Sequence, residues 1–146
     1  MDEQKTTKWL EYLTGYYAIL QASHLVFLGR AGLILLQSGR VPFPASPPPG
    51  GWAPSVIPFM MGMAAADVVA ACLGIYYSFS YLVKGEHKVL IGIISLTIAL
   101  SSAVVYLFGT LPAGAWSDNP FSYLIVILAF SPIIPLYIIL VRETER

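Results

Sequence analysis

Apolar residues fill four long stretches of this chain, and polar residues gather in the intervals between them. The stretches cover residues 10–36, 57–83, 89–111 and 121–141. A hydrocarbon core about 30 Å thick is crossed by roughly 20 helical residues. The pattern therefore predicts an all-α polytopic membrane protein, an antiparallel bundle of four transmembrane helices forming a single domain over 1–146. Loops 37–56 and 112–120 would lie on one side of the membrane. The turn between the second and third helices, with both tails, would lie on the other.

Within the second stretch, Gly62, Ala66, Ala70 and Gly74 recur every four residues. On a helix they form one smooth ridge, against which another helix can approach backbone to backbone. The ridge can serve packing inside the bundle, or association with a second copy or a different subunit. The third stretch carries Gly92, Ser95, Ala99, Ser102 and Tyr106 on one face, a natural surface for that ridge. Ser95 and Ser102 are expected to bond the carbonyls one turn back in their own helix; lining a polar cavity is the alternative. The fourth stretch is the most apolar, but Pro132 and Pro135 interrupt it. A bend is expected there, with the freed carbonyls satisfied by neighbours. Asp118-Asn119-Pro120 reads as the start of this helix.

The first stretch is the most polar of the four. Tyr17, Gln21, His24 and Leu28 share a face by helical spacing, whereas Arg30 falls about 120° round from His24. Depth links this face to the second helix. His24 lies roughly 18 Å below the outer end of its helix, and Asp67 roughly 15 Å below the start of its own, at 1.5 Å per residue. The two can meet. Gln21 would sit about a turn deeper, and Arg30 roughly 9 Å below the outer end, shallow enough to snorkel. An aspartate near mid-bilayer costs at least about 2.5–3.5 kcal/mol. It avoids part of that by protonating or by pairing with His24 or Arg30. Asp67, His24, Gln21 and Arg30 are therefore the candidate ligand- or proton-binding residues. A buried pair that merely sets the register of two helices is the structural alternative.

Composition narrows the class. The chain has 146 residues, 57% hydrophobic and 11% charged, less than half the roughly 25% charge of a soluble domain. Net charge is zero, so no nucleic-acid footprint exists, and membrane lipids are the expected surroundings. Cys72 is the single cysteine, which rules out an internal disulfide and thiolate metal sites. His87 falls in the charged turn and His24 deep in a span, so no haem pair forms; neither a metal nor a cofactor is expected. Lys5, Lys8, Lys84, Lys88, Arg142 and Arg146 lie on one side, against Arg40 in the opposite loops. This bias predicts cytoplasmic termini in a multi-pass protein of the cell membrane. Trp9, Tyr12, Tyr77, Tyr81, Tyr106, Phe108, Trp116 and Tyr123 are expected in interfacial belts.

The first outer loop is rich in proline (Pro42, Pro44, Pro47, Pro48, Pro49 and Pro54), with Gly50-Gly51 and Trp52. It reads as a stiff connector, or as a docking segment anchored by Trp52. Three functions follow from the whole. The first is a membrane protein whose polar pocket, between helices one and two, binds a small or lipid-like molecule or relays a proton. The second is an accessory or scaffold subunit of a larger complex, joined through the ridge. The third is an enzyme acting on a lipid, with His24 and Asp67 as acid and base. No catalytic motif accompanies the pair.

Overall fold

The structure is a computed structural model, and it describes residues 3–40, 52, 54–111, 115–118 and 120–145. The proline-rich segment from Pro42 to Gly51 lies outside the described residues. All elements among them are helices: α1 (Glu3–Ser38), α2 (Val56–Lys84), α3 (Val89–Thr110), α4 (Ala115–Asp118), α5 (Pro120–Phe130) and α6 (Ile133–Thr144). Four segments are long and apolar enough to cross a membrane: Lys8–Ser38, Val56–Lys84, Val89–Thr110 and Pro120–Thr144. Each matches its expected stretch to within three residues. Ile19, Val26, Leu36, Phe121 and Ile125 stand exposed on the outer faces, as suits helices whose solvent is lipid rather than water.

Glycine ends α2. Gly85 adopts φ 67°, and the Glu86 N–H turns back to the Ser80 carbonyl at 2.9 Å. This left-handed cap lets the chain reverse within 85–88 and start α3.

The fourth span is broken where proline demands it. Pro132 has no N–H to give the Leu128 carbonyl, and the Ser131 hydroxyl donates to that oxygen instead, at 3.2 Å. The Ala129 carbonyl, next along the break, accepts from the Tyr16 hydroxyl of α1 at 2.8 Å. Pro135 cannot reach the Ser131 carbonyl, which accepts from the Ile134 N–H at 3.3 Å. The Leu128, Ala129 and Ser131 carbonyls at the break thus each have a replacement donor, one of them from another helix. The result is two helices, α5 and α6, that pack differently.

That difference shapes the bundle. α2 packs along both α1 and α3, and α6 packs on α3 and α1. α5 meets α3 and α4, with no comparable contact to α1. Half of the bundle is therefore closed. Its core holds Leu10, Tyr17, Tyr77, Leu96, Ile133, Leu136 and Leu140. The other half is looser and is capped by aromatics. Tyr123 stacks between Tyr106, with ring centres 5.5 Å apart, and Trp116, at 4.6 Å. The Tyr123 hydroxyl donates to Thr110 at 2.8 Å, and the Trp116 indole N–H donates to the Leu107 carbonyl at 2.8 Å. Tyr106 and Tyr123 are thus buried packing residues rather than members of a lipid-facing belt, and so are Tyr77 and Tyr81. Trp9 and Tyr12 remain exposed. Aromatic identity alone does not tell an interfacial ring from a core ring; the helical face decides it.

The small-residue ridge of α2 divides in the same way. At Gly74 an added Cβ would lie 2.9 Å from both Ser95 Oγ and Tyr17 Cε1, and 3.0 Å from Gln21 Cγ. Ala70 is buried, Ala66 is half-buried, and an added Cβ at Gly62 would meet nothing within 4 Å. The ridge is thus consumed by α1 and α3 in the closed half and is free in the looser one. Gly74→Val should lower stability by about 1–3 kcal/mol through overpacking, whereas Gly62→Val should leave it unchanged. Unfolding of both variants in detergent checks this, and equal effects would refute the division.

Candidate functional site

Three helices bring polar side chains to the boundary between the closed and looser halves. The periodicity of α1 turns Thr14, Tyr17, Gln21 and His24 to one inner face, because spacings of three and four keep a helical stripe in line. α2 contributes Asp67, and α3 contributes Ser95 and Ser102. His24 Nε2 lies 3.8 Å from Asp67 Oδ2. This is an ion-pair distance, longer than a hydrogen bond. Asp67 Oδ1 is buried and has no hydrogen-bond partner. The Ser102 hydroxyl stands beside the carboxylate.

Above this pair lies a half-enclosed cavity of about 350 Å³, within the range of small-molecule sites, roughly 300–1,000 Å³. α1 lines it with His24, Phe27, Leu28, Ala31, Gly32 and Leu35. α2 adds Met60, Met61, Met63, Ala64, Ala65, Asp67 and Val68. α3 supplies Ser102, Ala103 and Tyr106, and α5 supplies Val126 and Phe130. His24 and Asp67 are the charged or chargeable pair in this lining apart from the Tyr106 phenol, whose buried hydroxyl has no hydrogen-bond partner. Phe27 and Met61 are also exposed on the helix surface, so part of the cavity wall reaches the apolar outside of the helices. No third His, Cys, Asp or Glu joins the pair in a metal-sized group among the described residues.

The four candidate residues do not form one site. His24 and Asp67 are together on the cavity floor. Gln21 is not part of the lining; it is fully buried one turn towards the closed end, against Tyr17 and Gly74. Arg30 is exposed and also absent from the lining. Gln21 thus sits about a turn deeper, as its spacing predicts, and neither it nor Arg30 joins His24 and Asp67 in the lining. The reason is rotational: α1 keeps residues 24, 28, 31 and 35 inward, and 30 falls between successive inward positions on the far side.

Ser95 and Ser102 also depart from expectation. Ser95 does not bond its own helix. Its hydroxyl donates to the Ala70 carbonyl of α2 at 2.6 Å and accepts from the Tyr17 hydroxyl of α1 at 2.5 Å. One serine therefore joins three helices, over the space that Gly74 leaves. Ser102 faces the cavity. Sequence reasoning did not assign Tyr106, Gly32 or the methionines to the site. One signal was present for the last: residues 60, 61 and 63 hold three of the chain's four methionines, and methionine is the flexible side chain of adaptable apolar surfaces.

No protein-family model, curated protein or solved structure matches this chain. The geometry alone must carry the reading of the site. Removing the Ser95 hydroxyl in Ser95→Ala strands the buried Tyr17 O–H and should cost about 1–3 kcal/mol. Ser102→Ala, on the cavity wall, should cost much less. Detergent unfolding of the two variants side by side checks the difference; an equal cost would remove the three-helix junction from the account.

Proposed function

We propose that this chain is an intramembrane binding protein for a small lipid-soluble molecule that has an apolar body and a polar head. In this reading the helices form an antiparallel bundle in the cell membrane. Both termini face the cytoplasm, on the side favoured by Lys5, Lys8, Lys84, Lys88, Arg142 and Arg146. The cavity then opens into the outer leaflet. The single observation that carries the proposal is the cavity itself: apolar walls of methionine, phenylalanine and alanine, with a loosely joined His–Asp pair at the floor.

The chemistry favours this over a purely structural pair. A pair kept to lock two helices gains most from short, well-aligned hydrogen bonds that repay its desolvation. Here the contact is 3.8 Å long and Asp67 Oδ1 is unsatisfied. Both groups keep free hydrogen-bonding capacity that a hydroxyl, carbonyl or amine of a bound molecule can use. The methionine-rich wall conforms to an irregular apolar body.

The second reading, an accessory subunit of a larger membrane complex or a self-associating chain, draws on a different surface. Gly62 on the free half of the ridge and the exposed Arg30 are the features that favour it. A subunit of that kind is scarce or unstable without its partner, whereas a pocket protein purifies alone.

Gly32 offers a clean test, because an added Cβ there meets nothing within 4 Å while the residue lines the cavity. Gly32→Phe should fill the space without strain. Native mass spectrometry of wild type should show a retained lipophilic molecule. Its occupancy should fall at least about tenfold in Gly32→Phe, the equivalent of 1.4 kcal/mol. Asp67→Asn should lose the molecule with unfolding temperature unchanged or raised. A wild type that carries nothing, or a molecule retained equally in Gly32→Phe, would sink the proposal.

A further inference from the structure

The closed half of the bundle contains more polar groups than its packing uses. Thr14, Tyr17, Gln21, Tyr77 and Ser95 are all essentially inaccessible. Tyr17 and Ser95 satisfy each other. Thr14 Oγ1, both amide atoms of Gln21 and the Tyr77 hydroxyl make no well-aligned hydrogen bond, although Thr14 stands beside Tyr77 and Gln21 beside Tyr17, near enough for weak polar contact. Buried polar atoms of native proteins are paired with protein or with internal water. In a membrane span no bulk solvent is available to relieve them.

These groups are arranged in sequence along the bundle. His24 is one turn from Gln21, Gln21 is beside Tyr17, Tyr17 adjoins Tyr77, and Tyr77 is beside Thr14. From His24 to Thr14 the rise is roughly 15 Å at 1.5 Å per residue. Beyond Tyr77 the line continues to Tyr81, with ring centres 6.3 Å apart. Tyr81 meets the exposed His87 edge-on at 4.8 Å, and Glu11 and Glu143 lie within electrostatic reach of it. The line thus joins the cavity floor to acidic and imidazole groups at the end of the bundle that holds the 85–88 turn.

We infer that this polar line is a proton path, in which Thr14, Gln21 and Tyr77 hold a file of internal water between the His24–Asp67 pair and the cytoplasmic end. The proposal goes beyond ligand binding and rests on that reading only for the cavity as its outer terminus. A proton taken up at Glu11 or Glu143 passes to the first water. Each water accepts one proton and gives up another, and the last delivers a proton to the Asp67 carboxylate. Release from the pair into the cavity restores the starting state, so charge and protons balance. The ionisable or hydroxyl groups facing Asp67 are His24 from α1 and Ser102 and Tyr106 from α3; α5 adds only Val126 and Phe130 to the cavity.

The poor pairing of these atoms makes the test specific. Gln21→Leu, Thr14→Val and Tyr77→Phe delete polar atoms that make no well-aligned protein hydrogen bond, so each should fold with stability unchanged or raised. A purely structural role predicts no effect on proton movement. The full chain is reconstituted in vesicles that enclose a pH-sensitive dye, and a potassium gradient with valinomycin imposes the potential. No ligand is added. Wild type should acidify or alkalinise the lumen faster than protein-free vesicles. Gln21→Leu and Thr14→Val should each slow that flux at least about tenfold, a modest share of what a positioned proton carrier contributes. Asp67→Asn should abolish it. Wild-type flux equal to that of empty vesicles would overturn the proposal. So would loss in Asp67→Asn with Gln21→Leu and Thr14→Val unaffected, which would route protons elsewhere. The binding reading is scored separately, by the molecule retained in the same wild-type preparation, so either can fail alone.

Discussion

The Tyr17 O–H to Ser95 O–H to Ala70 C=O chain is the interaction on which the remaining architecture depends. It crosses three helices in two hydrogen bonds of 2.5 and 2.6 Å. It exists because residue 74 has no side chain: a Cβ at that place would contact Ser95, Tyr17 and Gln21 at 3.0 Å or less. In a membrane, apolar burial gives little drive to helix association, because lipid is as apolar as leucine. Close approach and interhelical hydrogen bonds must supply what hydrophobicity supplies in water. This junction supplies both at one point, and it fixes α1, α2 and α3 at a single level. Gly92 extends the same close packing one layer further, where Leu140 and Tyr77 press on it.

The looser half follows from where that packing stops. Pro132 separates α5 from α6, so the residues that hold α6 against α1 do not carry α5 with them. Tyr16, donating to the Ala129 carbonyl, ties α1 to the fourth span next to the break. Beyond it α5 is held instead by the aromatic stack of Tyr106, Tyr123 and Trp116 against α3. The cavity occupies the space between these two modes of attachment. Its position at the level of Asp67 is therefore a consequence of a proline in one helix and a glycine in another, neither of which lines it.

Much of this was legible in the sequence, and the limits have physical causes. The four spans are visible because each needs a long apolar run, and the ends agree to within three residues. The meeting of His24 and Asp67 is visible because depth in a membrane is set by residue count. Rotation is less visible. Counting fixes how deep Arg30 lies but not that the Tyr17–Ser95 junction turns residue 30 away from the cavity. Gln21 lies on the expected face of α1 at the expected depth, but counting does not show that Gly74 draws α2 so close that the amide is buried below the floor. Ser95 was misread for a related reason. Its own i−4 carbonyl is always within reach, and only a neighbouring helix at glycine distance offers a better acceptor. Tyr106 and Tyr123 have a composition suited to an interface, but they stack across the connection between α3 and α5, a contact that helical spacing within one span does not show.

The polar content of the closed half weighs against a purely structural account of it. An unsatisfied buried polar group costs about 1–3 kcal/mol, against a total stability of about 5–15 kcal/mol for a typical domain. Gln21 could be leucine and still fill the space beside Gly74. Thr14 could be valine, and Tyr77 phenylalanine, with no well-aligned hydrogen bond to the protein lost in either case. All three exchanges would strengthen an apolar core. Leu96, Ile133, Leu136 and Leu140 already surround these groups with such a core, so the fold does not need their polarity for contrast or register. The register is fixed by Ser95 and Gly74. What the three polar side chains add is hydration capacity in a line between a chargeable pair and the end of the bundle. The sequence places these groups on one stripe of α1 and on the facing residue of α2, in line with the His24–Asp67 pair.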